Sequence, residues 1–266
     1  MKRTLTKNIL IISILTLCGL FAGFVPTGER APEFRLKRVV IDAGHGGHDP
    51  GTSGASSREK DISLKLALQV GQYIEENLPG VEVIYTRKTD VFIPLKERAN
   101  IANRNKADLF VSIHCNATGN RGVAGTETYV MGSKNFDANF DIVKRENAVI
   151  LMEDDYQENY EGFDPKSPES YMMFNLMQKA YFSNSLSLAQ KIESDFTSRV
   201  QRKSRGVKQA PFYVLWTTSM PSVLIETGFL TNSSEERFLA SPNGQTYVAS
   251  AIYRSIKAYK EEIESM

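Results

Sequence analysis

Cysteine, tryptophan and histidine are scarce in this 266-residue chain, which has two, one and three of them. Cys18 falls in a leader-like stretch, leaving Cys115 alone in the rest, so no disulfide framework holds the fold together. Excess charge is also missing: 32 Lys and Arg stand against 31 Asp and Glu, a formal net of +1. Bulk electrostatics therefore suggest no nucleic acid or other polyanion as a partner. Internal repeats and low-complexity tracts are absent too. What remains, 41% hydrophobic and 24% charged residues, is ordinary globular composition. The length suits one α/β domain, or one domain with an insertion.

The first 25 residues read as a signal peptide or N-terminal anchor. Lys2, Arg3 and Lys7 form a basic start, and an apolar core runs from Ile9 through Leu15, Leu17, Leu20 and Phe21. Leu15-Thr16-Leu17-Cys18 is a poor lipidation site, because Leu17 is larger than the usual residue there. Export to the periplasm or cell envelope is expected, with residues 26–35 as a tether to a domain over 36–264.

Arg38–Asp42 predicts a first strand. A helix capped by Ser57 or Asp61 then runs to about Asn77, with Ile62, Leu66, Val70 and Ile74 on one face. Val81–Tyr85 is a second strand, and Pro94 opens a helix at its first position. Asp108–Ile113 is a third strand. Strand alternating with helix is the signature of parallel βαβ units. Gly125–Met131 reads as a further strand, a candidate for the sheet edge. Residues 134–181 show no strand pattern and read as a helical insertion. Beyond it come a helix over Ser183–Arg199, strands at Phe212–Leu215 and Ser222–Glu226, and helices over Glu235–Ala240 and Gly244–Glu262. The expected fold is α/β: a single domain with a mostly parallel mixed sheet flanked by helices.

Two of the three histidines lie in one glycine-rich turn, Gly44-His45-Gly46-Gly47-His48, directly after the first strand. His114 ends the third strand, and Glu226 closes an apolar run, Val223-Leu224-Ile225. Glu59 precedes the first helix. In open parallel sheets, ligands collect at the carboxyl ends of the strands, so all four residues belong on one rim. Two imidazoles and one carboxylate with an open fourth position make a catalytic zinc site, and a further carboxylate serves as general base. Each has a bland alternative. Glu59 is favoured near a helix N-terminus in any case, and Glu226 could pair with a basic residue. Cys115 points to the face opposite His114 and reads as a buried filler rather than a ligand. Asn116 shares the His114 face. His48 is expected in a structural or rim role, and Arg87 and Arg98 are expected to pair with carboxylates near the sheet or to meet a substrate carboxylate.

Val40-Ile41-Asp42-Ala43-Gly44-His45-Gly46-Gly47, Asp49-Pro50-Gly51, Arg58-Glu59-Lys60-Asp61, Ala107 through Asn116, and Ser222 through Phe229 together resemble the zinc-dependent N-acetylmuramoyl-L-alanine amidases. The resemblance runs from about Arg38 to Ile263. It implies a hydrolase cutting the amide bond between muramic acid and L-alanine in peptidoglycan. It further implies zinc held by His45, Glu59 and His114, with Glu226 as catalytic acid/base. A zinc peptidase acting on stem peptides and a non-catalytic peptidoglycan-binding module are the alternatives.

Within the insertion, Asn139–Leu151 predicts a helix on which Ile142, Val143, Val149 and Ile150 share a face with Glu146. A carboxylate inside an apolar stripe is costly to bury without a cation. The expectation is that Glu146 fills the fourth zinc position and blocks the cleft; a surface pair with Arg145 or Lys144 is the bland alternative. Lys144-Arg145-Glu146-Asn147-Ala148 resembles the blocking helix of cell-division amidases, which implies release by an activator with a degenerate metallopeptidase-like domain. Met172, Met173, Leu176 and Met177 suit either partner binding or core packing. A monomer is expected.

Overall fold

The computed structural model describes residues 35–171 and 180–265. The leader, most of the tether and the Met172–Met177 stretch lie outside the described residues. Six strands form one sheet in the order β2-β1-β3-β6-β4-β5. They are β1 (Arg38–Ala43), β2 (Glu82–Tyr85), β3 (Leu109–Asn116), β4 (Thr126–Val130), β5 (Ser204–Gln209) and β6 (Ser222–Phe229). β2, β1, β3 and β6 run parallel. β4 is antiparallel to β6 and parallel to β5.

The helices are α1 (Glu59–Asn77), α2 (Leu95–Arg104), α3 (Phe136–Asn147), α4 (Tyr156–Asn159), α5 (Phe182–Ser198), α6 (Tyr213–Trp216), α7 (Ser233–Ala240) and α8 (Pro242–Glu264). Strand alternation sorts the core into two layers. Val39, Ile41, Val111, Ile113, Val223 and Ile225 face α1, α5 and α8. Val40, Phe110, Tyr129 and Leu224 face α2, α6 and the insertion. His114 and Glu226 share the parity of Phe110 and Leu224, so both emerge on the insertion side. No helix among the described residues is long and apolar enough to cross a membrane.

Several local expectations change. Phe212–Leu215 is not a strand: Tyr213–Trp216 forms a helical turn. A short apolar run reads equally as strand or buried helix, and here Trp216 N–H donates to Phe212 O (3.1 Å) while Asn147 Oδ1 accepts from Tyr213 N–H (2.9 Å). β5 was not anticipated, because Ser-Arg-Gly-Val-Lys-Gln carries the polar composition of an edge strand. β5, not β4, takes the edge. α1 starts at Glu59 behind Arg58, and Pro94 caps α2 instead of opening it. The insertion is helical as expected, but α3 ends at Asn147, and Ala148–Met152 tightens into a 3-10 turn.

Candidate metal centre

The turn after β1 is built around the side chains it must admit. Gly44 has no room for a Cβ, which would lie 2.4 Å from His114 Cε1. Gly51, at φ +64°, would place one 2.6 Å from His45 Cδ2. His45 itself takes φ 60°, an uncommon conformation for a non-glycine residue. A buried ion pair holds it there. Arg98 Nη1 donates to Asp42 Oδ1 (2.8 Å) and its Nη2 to the His45 carbonyl (2.7 Å). Asp42 also accepts from Thr86 (2.7 Å) and Ser112 (2.6 Å). Arg87 donates to the Ala43 (2.9 Å) and Gly44 (2.7 Å) carbonyls. Arg98 thus pairs with a carboxylate as expected, whereas Arg87 ties down backbone.

His45, Glu59, His114 and Glu146 converge, each offering one ligand atom, all within 4.8 Å of one another and all buried. Glu59 Oε1 lies 3.0 Å from both His45 Nε2 and His114 Nδ1. Glu146 Oε2 lies 3.3 Å and 3.0 Å from the same two nitrogens. Tetrahedral ligands about 2.0–2.1 Å from a metal stand roughly 3.3 Å apart, so the spacing suits one small ion. Asp49 Oδ2, 2.7 Å from His45 Nδ1, fixes the tautomer that leaves Nε2 free to ligate. Glu59 is oriented from both sides: Oε2 accepts from Thr52 N–H (2.8 Å), and Oε1 from Cys115 N–H (2.9 Å).

The donor set fits a metal on this geometry. His45 Nε2 and Glu146 Oε2 are buried without a hydrogen-bond partner, a cost a cation would remove. The charges agree. Burial pulls the imidazoles down, yet Glu59 and Asp49 beside His45 raise it overall. His114, likewise opposed by burial but facing Glu146 and Glu59, is pushed up to about 9. Burial works against the Glu59 carboxylate, but the neighbouring His45 and His114 bring it down to about 2. The cluster calls for positive charge at its centre.

Glu226 lies beside it, paired with His114 across β3 and β6 and with Glu127 across β4. It is completely buried, and neither carboxylate oxygen has a hydrogen-bond partner. Burial, then the Glu146 charge, push its pKa well above the usual carboxylate range against the pull of Arg145. Arg145 reaches both carboxylates: Nε donates to Glu146 Oε1 (2.8 Å), and Nη2 lies 3.5 Å from Glu226 Oε1. Glu146 thus pairs with Arg145, but buried against the histidines and not at the surface.

Polar contacts fasten α3 over the site. Arg145 donates to Ala117 O (3.0 Å), Asn139 to Gln209 O (3.0 Å) and Asn147 to Pro211 O (3.2 Å). His48 stays outside the cluster, 4.1 Å from the Phe92 ring between centroids. Cys115 is buried in the opposite core layer. Asn116 donates to Glu127 Oε2 (3.0 Å) and accepts from Arg145 (3.2 Å). Sequence reasoning missed Asp49, Asp42 and Glu127. Only Asp49, four residues after His45, carried a spacing signal.

Comparison with known proteins decides the family. The family described as N-acetylmuramoyl-L-alanine amidase matches residues 39–258. The chain belongs to the N-acetylmuramoyl-L-alanine amidase family. It is thereby an enzyme of that class, with peptidoglycan as the family substrate. The chain is 36% identical over 248 residues to the uncharacterized protein YqiI of Bacillus subtilis, covering 93% of this chain and 97% of that one. N-acetylmuramoyl-L-alanine amidase AmiA of Escherichia coli is 34% identical over 225 residues, covering 83% and 75%. The CwlD amidase of Clostridioides difficile, solved in complex with the GerS lipoprotein, superposes with a TM-score of 0.64 at 28% identity, covering 85% and 99%.

Proposed function

We propose that this chain is a zinc-dependent hydrolase cleaving the amide bond between N-acetylmuramic acid and L-alanine, and that the arrangement described above is its autoinhibited form. His45, Glu59 and His114 hold the metal, Glu226 is the acid/base, and Glu146 takes the fourth position. The convergence of two imidazoles and a carboxylate beside the unpartnered Glu226 carries the reading. Bound zinc supplies Lewis acidity, bringing water's pKa toward about 7 and polarising the scissile carbonyl.

The chain's own residues do the rest. Asp49 holds the His45 ring, and Thr52 and Cys115 aim Glu59. Once Arg145 and Glu146 withdraw, Glu226 accepts a proton from the attacking water at its carboxylate. It then returns that proton to the departing alanine nitrogen.

Residues 134–181 act as the regulatory insertion, opened by an activator with a degenerate metallopeptidase-like domain. The lipoprotein partner of the similar CwlD amidase supports control of such a domain by another protein. Residues 1–25 direct export and 26–35 tether the domain, placing wall remodelling and daughter-cell separation in the periplasm or cell envelope. The protein acts as a monomer.

Mass analysis of peptidoglycan digests tests the reaction. Stem peptides beginning with free L-alanine are expected; shortened stems would mean a peptidase, and unchanged material together with no zinc binding would refute the reading. Glu226→Gln is expected to keep its zinc and lose turnover by about 100- to 10,000-fold.

A further inference from the structure

Residues 52–59, which deliver Glu59 to the cluster, form a small hairpin. Thr52 and Glu59 close its base, with Glu59 N–H donating to Thr52 O (2.9 Å) and Thr52 N–H to Glu59 Oε2 (2.8 Å). Ser53 and Arg58 form an antiparallel bridge, and Gly54 N–H donates to Ser57 O (2.9 Å). So short a loop has no core of its own. Its tip closes on one buried side chain, Glu236 of α7.

The Glu236 carboxylate accepts from three consecutive amides: Ala55 (2.9 Å) on Oε2, and Ser56 (2.7 Å) and Ser57 (2.9 Å) on Oε1. Ser56 Oγ adds a fourth bond at 3.2 Å. The approach is tight enough that a Cβ on Gly54 would lie 2.4 Å from Glu236 Cδ. α7 is itself fixed: Asn232 caps it by accepting from Ser234 and Glu235, and it follows directly on β6, the strand of Glu226.

We infer that Glu236 is a positioning residue, clamping the 52–59 hairpin to the β6–α7 corner and thereby setting where Glu59 stands relative to His45, His114 and Glu226. The inference rests on the zinc reading above. Charge-assisted bonds from three backbone amides leave the hairpin tip little freedom. The restraint reaches the metal through the Thr52–Glu59 base, whose hydrogen bond leaves Glu59 Oε1 pointing at the cluster. Without Glu236, three amides at the tip lose their acceptor and the hairpin drifts, taking the carboxylate with it.

The test measures zinc affinity of the full chain by competition with a chromophoric chelator, alongside hydrogen exchange at the Thr52 and Glu59 amides of the metal-free protein. Glu236→Ala is expected to weaken zinc binding about 10- to 100-fold, the usual effect of losing a group that orients a ligand, and to speed exchange at both amides. Glu236→Gln keeps the shape but sets an NH2 group against one tip amide, so a smaller loss in the same direction is expected even if the alanine variant does not fold. Glu235→Gln is the control. Glu235 accepts from Gly125, Phe229 and Arg202, away from the hairpin, so this variant should lower stability and leave zinc affinity within twofold. Wild-type zinc binding with unchanged affinity in both Glu236 variants, or losses no larger than for Glu235→Gln, would overturn this assignment alone. A wild-type chain that binds no zinc would overturn the metal reading and this assignment with it.

Discussion

Removing the Glu146 carboxylate should raise turnover and loosen zinc at the same time. In the closed form that carboxylate accepts from Arg145 (2.8 Å) and sits 3.0 Å from His114 and 3.3 Å from His45. Arg145 rides on the same helix as Glu146, so the contacts that hold the helix closed are those to the two histidines, and breaking a buried charge pair of this kind costs about 3–5 kcal/mol. At the low end, about 3 kcal/mol of closing energy is lost in Glu146→Ala. At about 1.4 kcal/mol per tenfold, the open fraction grows roughly 100-fold while the closed form still predominates. The helix does not leave altogether, because Ile142, Val143, Val149 and Ile150 stay buried beneath it. Each such side chain contributes about 1.5–3 kcal/mol.

Basal hydrolysis of purified peptidoglycan without activator should therefore rise by about 100-fold, in keeping with that shift. Zinc affinity, measured in parallel, should fall because a ligand is gone. Opposite movement of the two readouts is the signature. A Glu146 that merely supported the fold would lower both. Unchanged basal turnover in a zinc-loaded, folded variant would refute the blocking role.

Asp42→Asn leaves Arg98 buried without its carboxylate, a loss of about 3–5 kcal/mol. A fall in Tm of about 6–20 °C follows at this chain length, read by calorimetry; a shift under 2 °C would mean the pair is dispensable. Gly44→Ala should cut zinc affinity sharply while the sheet still forms, since the new methyl collides with the His114 ring; chelator competition beside far-UV dichroism checks this. In metal-free protein, His114 titrates near 9 instead of near 6.5. A raised native pKa stabilises fully below the unfolded value and is lost as pH climbs through the native one. Metal-free Tm should thus decline between about pH 6.5 and 9, and the zinc-loaded protein should show no such decline.

Much of this was legible in the chain. The parallel β1–β3–β6 unit announces itself through apolar runs, and the rim rule for parallel sheets brings His45, Glu59, His114 and Glu226 together without coordinates. Glu146 was legible because a lone carboxylate interrupts an apolar helical stripe. β5 was not, since an edge strand needs apolar residues on one face only and its Arg205 and Lys208 bond sideways to Glu127. The orienting groups also escaped. Asp49, Asp42 and Glu236 act through hydrogen bonds whose partners lie up to 181 positions away, and no periodicity records such a pairing.

Arg145 and Glu146 are neighbours in the chain, yet one leans on Glu226 and the other on His45 and His114. Both obstacles therefore travel on one rigid turn of helix. In the proposed mechanism, any force that lifts this turn frees the two halves of the reaction machinery together, with no intermediate setting in which water is activated but the acceptor for its proton is still engaged. For a peptidoglycan amidase regulated as proposed, that coupling would make release all-or-none at each molecule, and graded output would come from how many molecules are opened.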